Sequence, residues 1–288
     1  MNIAIVGLGL IGGSLAKDLR ANGFASKLTG VDSSSIHRRV ALELGLVDEC
    51  LPLEDAVFEA DLVVLAIPVR ALCQGMVEVL NQIDEDAVVV DMGSTKAEIA
   101  EAIQGHPLRK RAVLAHPMAG TEYSGPQAAV SNLFQGKAAI ICDRDDSDPD
   151  AVRLAERMFQ SLFMRVVYME SKEHDVHAAY VSHISHISSF ALALTVLEKE
   201  ASSANIFNLA SGGFRSTVRL AKSNPTMWRD VFEQNSQNLL DVLDNYLEHV
   251  QDFRNDIAQG DFQQAFRRME QANAIGPILD QVFESTVK

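Results

Sequence analysis

The distribution of apolar residues divides the chain into two parts. Up to residue 169, short aliphatic and β-branched runs alternate with stretches of helical periodicity. Such alternation is typical of βαβ units, in which a mainly parallel sheet carries helices on both faces. We predict seven strands, namely IAIV (3–6), LTGVD (28–32), LVVLAI (62–67), AVVVD (87–91), AVLA (112–115), AAIIC (138–142) and RVVYM (165–169).

From residue 170 onward the apolar spacing is helical and the strand pattern does not return. We therefore predict an α/β domain over residues 1–169 and an all-helical domain over residues 170–288. An apolar stripe in the second domain predicts one long helix between Trp228 and Ile257; its members are Phe232, Leu239, Leu243, Tyr246, Val250, Phe253 and Ile257. From Leu239 the spacing alternates between four and three residues, which predicts a homodimer through this domain. The alternative is a helix that packs only within its own subunit.

A glycine-rich motif lies between the first predicted strand and the first helical stretch. It contains Gly7, Gly9, Leu10, Ile11 and Gly12. The first glycine permits a tight turn, the second allows the backbone to approach a pyrophosphate, and the third allows the helix to pack on the strand. The anion would bind at the helix N-terminus. We therefore predict a Rossmann-type dinucleotide-binding domain, against the alternative that these glycines serve packing alone.

Asp32 bears on which dinucleotide binds. It ends the second predicted strand, where a carboxylate accepts hydrogen bonds from an adenosine ribose and repels a 2′-phosphate. This favours NAD. Arg38 and Arg39 follow closely, and guanidinium groups there leave NADP as the alternative.

Three consecutive strands deliver unusual residues to one edge of the predicted sheet. Pro68, Ser94 and His116 follow or end the third, fourth and fifth strands, and ligands bind beyond the carboxyl ends of parallel strands. Pro117 restricts His116 to extended backbone, so we expect His116 at the last position of its strand. Its ordinary pKa of about 6.5 suits a general base. The alternatives are a helix N-cap for Ser94 and a bond to a neighbouring carbonyl for His116.

Composition narrows the class of partner. The formal charge of −14 argues against nucleic acid and anionic membranes. The three cysteines have no metal-type spacing and are typical of the cytoplasm. We expect no membrane span, because no apolar stretch reaches the required length, and no signal peptide, because the first predicted strand begins at once. Four histidines cluster in one segment, but on a regular helix His174 and His177 oppose His183 and His186, so we expect no metal site.

Five motifs together carry a resemblance to a known family. In chain order they are GLGLIGGSLA, DMGSTK, HPMAGTEYSG, HDVHAAYVSHISH and GGFRSTVRLAKSNPTMWRD. The chain resembles the prephenate dehydrogenases, with the arogenate and cyclohexadienyl dehydrogenases included, over nearly its whole length. The resemblance implies oxidative decarboxylation of prephenate to 4-hydroxyphenylpyruvate, or of arogenate to tyrosine, with a nicotinamide cofactor, in tyrosine biosynthesis.

The resemblance also implies roles for single residues. His116 accepts a hydrogen bond from the substrate's ring hydroxyl and removes its proton, and Ser94 contacts the same hydroxyl. The remaining roles fall to His186 and Trp228 in the substrate pocket, His183 near it, Arg219 at a substrate carboxylate and Glu122 as a gate. Alternatives from the residues alone are a buried structural histidine for His183, core packing for Trp228, and surface positions for Arg219 and Glu122.

Other interpretations stay open at this point. A β-hydroxyacid-type dehydrogenase or an imine reductase shares the glycine motif and a helical second domain, but the expected catalytic lysine of the hydroxyacid group does not stand out here. A non-catalytic NAD-binding sensor has no need of Ser94, His116, His186 and Arg219 together. From the length of the chain we expect neither a fused chorismate mutase nor a regulatory domain of the ACT type, and we expect any inhibition by tyrosine to be competitive.

Overall fold

The computed structural model describes residues 1–202 and 205–284. The chain divides into two compact units, Met1–Asn235 and Ser236–Lys288. The first unit contains an eight-stranded sheet in the order β3-β2-β1-β4-β5-β6-β7-β8, in which only the pairing of β6 with β7 is antiparallel. The strands are β1 (Asn2–Val6), β2 (Lys27–Val31), β3 (Glu49–Cys50), β4 (Leu62–Leu65), β5 (Val88–Asp91), β6 (Ala112–Pro117), β7 (Ala138–Cys142) and β8 (Arg165–Met169).

The predicted α/β class is confirmed, and every predicted strand has a counterpart in the sheet. The strand β3 was not predicted, because two residues are too short to show a pattern. After β8 the described elements are all helical. The first unit contains α1 (Leu10–Ala21), α2 (Ser35–Glu43), α3 (Leu53–Phe58), α4 (Val69–Leu80), α5 (Ala97–Ile103), α6 (Pro149–Ser161), α7 (Ser171–Ala178), α8 (Ile184–Ser202), α9 (Gly212–Thr217) and α10 (Pro225–Gln234). The second contains α11 (Ser236–Gln259), α12 (Phe262–Ala272) and α13 (Ile275–Glu284).

The core of the first unit lies on both faces of the sheet. Successive side chains of a strand point to opposite faces, so Ile3 and Ile5 belong to one apolar cluster and Ala4 and Val6 to the other. Helices α1 and α6 cover the first face, and α4, α5 and α10 contribute to the second. Because both faces are covered, the central strands are continuous apolar runs.

The strand β6 is longer than predicted. His116 was expected at its last position, but β6 continues through Pro117. The parallel neighbour β5 pairs only with Ala112 and Val113, whereas the antiparallel neighbour β7 pairs as far as Pro117. Within the sheet, the second half of β6 therefore pairs with β7 alone, and His116 is the penultimate residue of the strand.

A π-helical segment, Ala179–His183, connects α7 to α8. It changes the phase of the helix between the two pairs of histidines. His174 and His183 are both buried, whereas His177 is exposed, and the opposition of the two pairs stays a prediction. The combined run Ser171–Ser202 contains an 18-residue window with a mean hydropathy of 1.3, which has the length and composition of a membrane span and corrects the expectation that no stretch reaches that length. Alanine, valine and leucine are separated here by serine and histidine rather than by charges. One such helix is weak evidence for a membrane, since helices of other proteins pass the same test.

The single helix predicted between Trp228 and Ile257 is wrong. The structure has α10 and α11, and Asn235 stands between them with φ −113° and ψ 26°. The Asn235 side chain donates to the carbonyl of Asp175 at 2.7 Å and lies 3.1 Å from Nδ1 of His183. These buried polar contacts compete with helical continuation, which the apolar stripe could not indicate.

Candidate active site

The glycine motif forms the turn between β1 and α1. Gly7 has φ +98°, and a Cβ there would lie 2.4 Å from the carbonyl oxygen of Ala66. A Cβ on Gly12 would lie 1.9 Å from the carbonyl oxygen of Gly7. Gly9 is different, because a Cβ there would meet nothing within 4 Å. Two glycines are thus required by the chain's own packing, whereas Gly9 leaves open space at the N-terminus of α1, which no side chain caps.

Asp32 directly follows β2 and lies beside this turn. Its carboxylate accepts hydrogen bonds from the backbone N–H of Leu8 at 2.9 Å and of Ser34 at 2.8 Å. Nδ1 of His37 lies 3.3 Å from the same carboxylate. The Arg38 guanidinium donates hydrogen bonds to the backbone carbonyls of Asp32 and Ser33.

A cavity of about 1280 Å³ runs from the glycine turn along the carboxyl ends of the central strands to α10. Most of the residues singled out from the sequence line it: Gly7, Gly9, Leu10, Ile11, Asp32, Pro68, Ser94, His116, Glu122, His186, Arg219 and Trp228. Gly12 and His183 do not line it. The volume exceeds the usual range for a single small ligand, so the cavity has room for a dinucleotide and a second molecule.

A buried ion pair lies at the carboxyl edge of the sheet. The Lys96 ammonium contacts the Asp91 carboxylate, and neither side chain is exposed to solvent. Lys96 Nζ also donates to the carbonyl of Ala115 at 2.7 Å, while Asp91 accepts from the N–H of Ala115 at 3.1 Å and of Gly93 at 2.8 Å. These bonds link the loop after β5 to the end of β6.

His116 is held by a side chain that does not line the cavity. Its Nδ1 lies 2.8 Å from Nε2 of His174, and Nδ1 of His174 lies 2.8 Å from Oδ1 of Asp175. Burial is the main cause that lowers the pKa of His116 well below its usual range, and the neighbouring His174 and Lys96 add to it. His116 is therefore neutral at physiological pH and can accept a proton.

Ser94 is not the N-cap of the next helix. The helix α5 begins at Ala97 after Lys96. Its first N–H groups are bound by a residue distant in sequence, since the Asp175 carboxylate accepts from Lys96 N at 2.8 Å and from Ala97 N at 2.9 Å. The capping alternative for Ser94 is wrong, and its side chain lines the cavity.

Aromatic rings form the far wall of the cavity. The rings of His186 and Trp228 are stacked, with centroids 3.5 Å apart. His183 packs edge-on against Trp228 at 5.8 Å and is 1% exposed. Burial lowers the pKa of His183 to about 4. Its placement matches the alternative of a buried, hydrogen-bonded histidine, because Asn235 donates to its Nδ1.

Arg219 and Glu122 contact each other in the cavity. An Arg219 guanidinium nitrogen lies 3.7 Å from a Glu122 carboxylate oxygen, and the Arg219 side chain is 54% exposed. Burial lowers the pKa of His186, and the positive charge of Arg219 contributes. Four of the five residues predicted to bind substrate thus line the same cavity, and His183 is the exception.

Comparison with known proteins decides the family. A family model described as the nucleotide-binding domain of prephenate dehydrogenase matches residues 15–168, and one described as its dimerization domain matches residues 170–271. The chain belongs to the prephenate dehydrogenase family. The resemblance seen in the five sequence motifs is thereby confirmed.

Individual members of the prephenate dehydrogenase family match most of the chain. A prephenate dehydrogenase of Bacillus subtilis (strain 168) is 32% identical over 94% of this chain and 74% of its own length. A cyclohexadienyl dehydrogenase of Zymomonas mobilis is 32% identical over 90% of this chain and 89% of its own. The solved structure of prephenate dehydrogenase from Aquifex aeolicus in complex with hydroxyphenyl propionate and NAD+ has a TM-score of 0.88 and 31% identity, and the match covers 97% of this chain and 98% of that one.

The sequence analysis did not predict that four further residues belong to the site. Asp91 and Lys96 lie in the family motif DMGSTK, and His174 and Asp175 lie in HDVHAAYVSHISH. A lysine five residues after a strand-end aspartate was a possible signal for a buried pair. The pairing of His174 with His116 joins residues 58 positions apart, and no local pattern indicates it. In the described part of the chain, no group of three or more His, Cys, Asp or Glu side chains is arranged to hold a metal ion.

Proposed function

We propose that this protein is an NAD-dependent dehydrogenase that converts prephenate to 4-hydroxyphenylpyruvate with loss of carbon dioxide, a step of tyrosine biosynthesis. The observation that carries the proposal is the placement of a neutral, buried His116 on the same cavity as the glycine turn, Ser94 and Arg219. The glycine turn fits a dinucleotide, and Arg219 supplies a cation for a substrate carboxylate.

The reaction requires one proton to be removed and one hydride to be accepted. A bound nicotinamide supplies the hydride acceptor. His116 accepts the proton of the substrate's ring hydroxyl as hydride leaves the ring carbon that bears this hydroxyl. Ser94 orients the hydroxyl. The bond to the ring carboxylate then breaks and its electrons complete the aromatic ring, while the oxygen takes back a proton. Because aromatisation drives the step, the protein mainly has to position the groups and handle the proton.

The far side of the cavity binds the substrate's charged groups. Arg219 can hold a carboxylate through two parallel hydrogen bonds, and half of its surface is available for this. The stacked His186 and Trp228 offer a flat wall for the ring. Glu122 pairs with Arg219 in this structure, so a substrate carboxylate would replace the Glu122 carboxylate as the partner of Arg219.

NAD is preferred over NADP in this proposal. At the ribose site Asp32 is held rigidly by two backbone N–H groups and would repel a 2′-phosphate. Arg38, which could have offset that repulsion, donates to carbonyl oxygens of the same turn instead. NADP stays the alternative cofactor.

A second candidate activity is arogenate dehydrogenation, alone or together with prephenate dehydrogenation. Arogenate carries an ammonium group where prephenate carries a keto group. The Glu122 carboxylate next to Arg219 would favour such an ammonium. The cyclohexadienyl dehydrogenase of Zymomonas mobilis also lies among the matched relatives.

Initial rates with prephenate and arogenate, each with NAD and with NADP, test the proposal directly. We expect the largest kcat/KM for prephenate with NAD. A larger value for arogenate would replace the first candidate by the second. Absence of turnover with both substrates would contradict the proposal as a whole.

Replacing Arg219 with glutamine should raise KM for prephenate at least tenfold and leave kcat within a few-fold. The reason is that the ion pair with the substrate carboxylate is equally strong in the ground and transition states. Arg215→Gln serves as the matched control, since this arginine lies one turn away and does not line the cavity. Steady-state kinetics at saturating NAD measures both. An unchanged KM in Arg219→Gln would remove Arg219 from the substrate site.

We also propose that the helical region assembles the protein into a homodimer. The family model that matches residues 170–271 is named for dimerization. Large apolar side chains are exposed on α11, namely Leu240, Tyr246, Leu247, Val250 and Ile257, and others are exposed on α8, α12 and α13. Exposed apolar surface on this scale marks interaction sites. We place the domain boundary after residue 169, and free cysteines agree with a cytoplasmic location.

Sedimentation equilibrium tests the assembly. We expect a mass of twice the chain's 31.5 kDa at micromolar concentration, and a shift toward monomer for Leu247→Glu, which places a charge on the apolar face. Glu248→Gln, at the next exposed position, should leave the dimer intact. A wild-type protein that sediments as a monomer would contradict the proposal.

A further inference from the structure

A chain of three side chains leads from the cavity into the protein interior. It starts at His116, passes through His174 on α7 and ends at Asp175. His174 and Asp175 are each 2% exposed, and neither lines the cavity. They therefore cannot contact a substrate, and any effect they have on the reaction must pass through His116.

The hydrogen-bonding chemistry of this chain assigns its protons. The Asp175 carboxylate only accepts hydrogen bonds, and it also accepts from the N–H groups of Lys96 and Ala97. Nδ1 of His174 must therefore carry a proton and donate to Asp175. A neutral His174 then has its lone pair on Nε2, so His116 must donate to it from Nδ1.

This assignment determines which nitrogen of His116 is the base. With the proton on Nδ1, the lone pair is on Nε2, which is the nitrogen left for the cavity. If His174 instead carried two protons, it would donate to Nδ1 of His116, and Nε2 would be protonated and unable to accept. In the first arrangement the Asp175 carboxylate at the end of the hydrogen-bonded series balances the charge that His116 gains with the substrate proton.

We propose that His174 and Asp175 are positioning residues that fix the tautomer of His116, with its proton on Nδ1 and its basic lone pair on Nε2 toward the substrate hydroxyl. The inference rests on the proposed function for the identity of that hydroxyl. The substrate proton passes to Nε2, the proton on Nδ1 stays shared with His174, and Asp175 balances the charge until the proton returns to the product oxygen.

Asp175 has a second task that makes it a poor test residue. Its two oxygens cap the N-terminus of α5 through Lys96 and Ala97, and the cap lies two residues after Ser94. An asparagine would present an amide N–H to one of these donors and disturb the Ser94 loop. The two side-chain hydrogen bonds of His174 are both to other members of this series, His116 and Asp175, so a substitution of His174 tests the series more specifically.

The kinetic test compares two substitutions of His174. His174→Leu removes the acceptor for Nδ1 and should lower kcat about tenfold to a hundredfold with KM for prephenate and NAD unchanged. His174→Gln can still accept from His116 and donate to Asp175, so it should retain more of kcat. His177→Leu, one turn along the same helix and exposed, is the control and should match the wild type. Wild-type kcat in His174→Leu would overturn the proposal.

A double variant separates positioning from a merely structural role. In His116→Asn the base is absent, so adding His174→Leu should cause no further loss of kcat. Losses that multiply, with His174→Gln no better than His174→Leu, would show that His174 supports the fold only. The acid limb of the pH profile should also move in His174→Leu but not in His177→Leu. The groups that surround His116 in this comparison are Asp91 at the end of β5, Lys96 after β5, His174 and Asp175 on α7, and His183 on the π segment.

A measurement on the wild-type protein avoids both folding defects and turnover. Histidine labelled with ¹⁵N reports the tautomer through its ring couplings, and the His116 signals are those lost in His116→Asn. We expect the proton on Nδ1 at neutral pH. A proton on Nε2 would overturn the proposal even if the enzyme turned over prephenate. Absence of turnover with the proton on Nδ1 would refute the proposed function but not the relay, by which we mean the hydrogen-bonded series of His116, His174 and Asp175.

Discussion

Replacing His116 with asparagine should lower kcat for prephenate by about two to four orders of magnitude, the usual contribution of a general base. Asparagine keeps a polar side chain of similar length at the same strand position but cannot accept the hydroxyl proton. Binding of the cofactor should be unchanged, because its expected contacts are at the glycine turn and Asp32. Stopped-flow kinetics and a fluorescence titration with NADH measure the two properties separately.

The pH profile of the wild type provides the second part of this test. Burial lowers the pKa of His116, so its neutral, basic form persists through neutral pH. The ordinary pKa of histidine is about 6.5. The value of kcat/KM should therefore stay constant from neutral pH to below that value and fall only at lower pH. The acid limb should disappear from the residual activity of His116→Asn. Near-normal turnover in that variant would remove His116 from the mechanism.

The second large effect is on stability, and it concerns Lys96. Replacing Lys96 with methionine leaves the fully buried carboxylate of Asp91 without its cation. Breaking a buried pair by removing one partner costs about 3–5 kcal/mol in the free energy of unfolding. The substitution also removes the bond to the carbonyl of Ala115, so His116 should lose part of its positioning. Urea denaturation followed by circular dichroism measures the change.

Two further variants make this result specific to the ion pair. Lys172→Met changes an exposed lysine and should alter the free energy of unfolding by less than about 0.5 kcal/mol. Asp91→Asn combined with Lys96→Met removes the uncompensated charge and should recover part of the lost stability. A loss in Lys96→Met no larger than in Lys172→Met would show that the pair contributes nothing to the fold.

The elements of the fold were predictable because local patterns determine them. The run LVVLAI is apolar at every position since β4 is buried on both faces, and the glycines at 7 and 12 are dictated by contacts that a Cβ would violate. The break at Asn235 was not predictable. It depends on hydrogen bonds to Asp175 and His183, which are distant in sequence.

The same distinction applies to the site. The rule for the carboxyl edge of parallel strands predicts that Pro68, Ser94 and His116 lie together, and in the structure all three line one cavity. The helix after Ser94 looked as if it needed a local cap, and instead Asp175 supplies one from α7. Long-range polar bonds of this kind leave no periodic trace in a sequence, so the relay behind His116 became visible only in the structure.

The most direct test of the account follows three quantities in one reaction of the wild-type protein with prephenate and NAD. These are the absorbance of reduced nicotinamide, the release of carbon dioxide and the formation of 4-hydroxyphenylpyruvate. The account predicts equal amounts of all three, and none of them at a comparable rate in His116→Asn. Reduction of NAD without release of carbon dioxide, or equal rates in the two proteins, would contradict it.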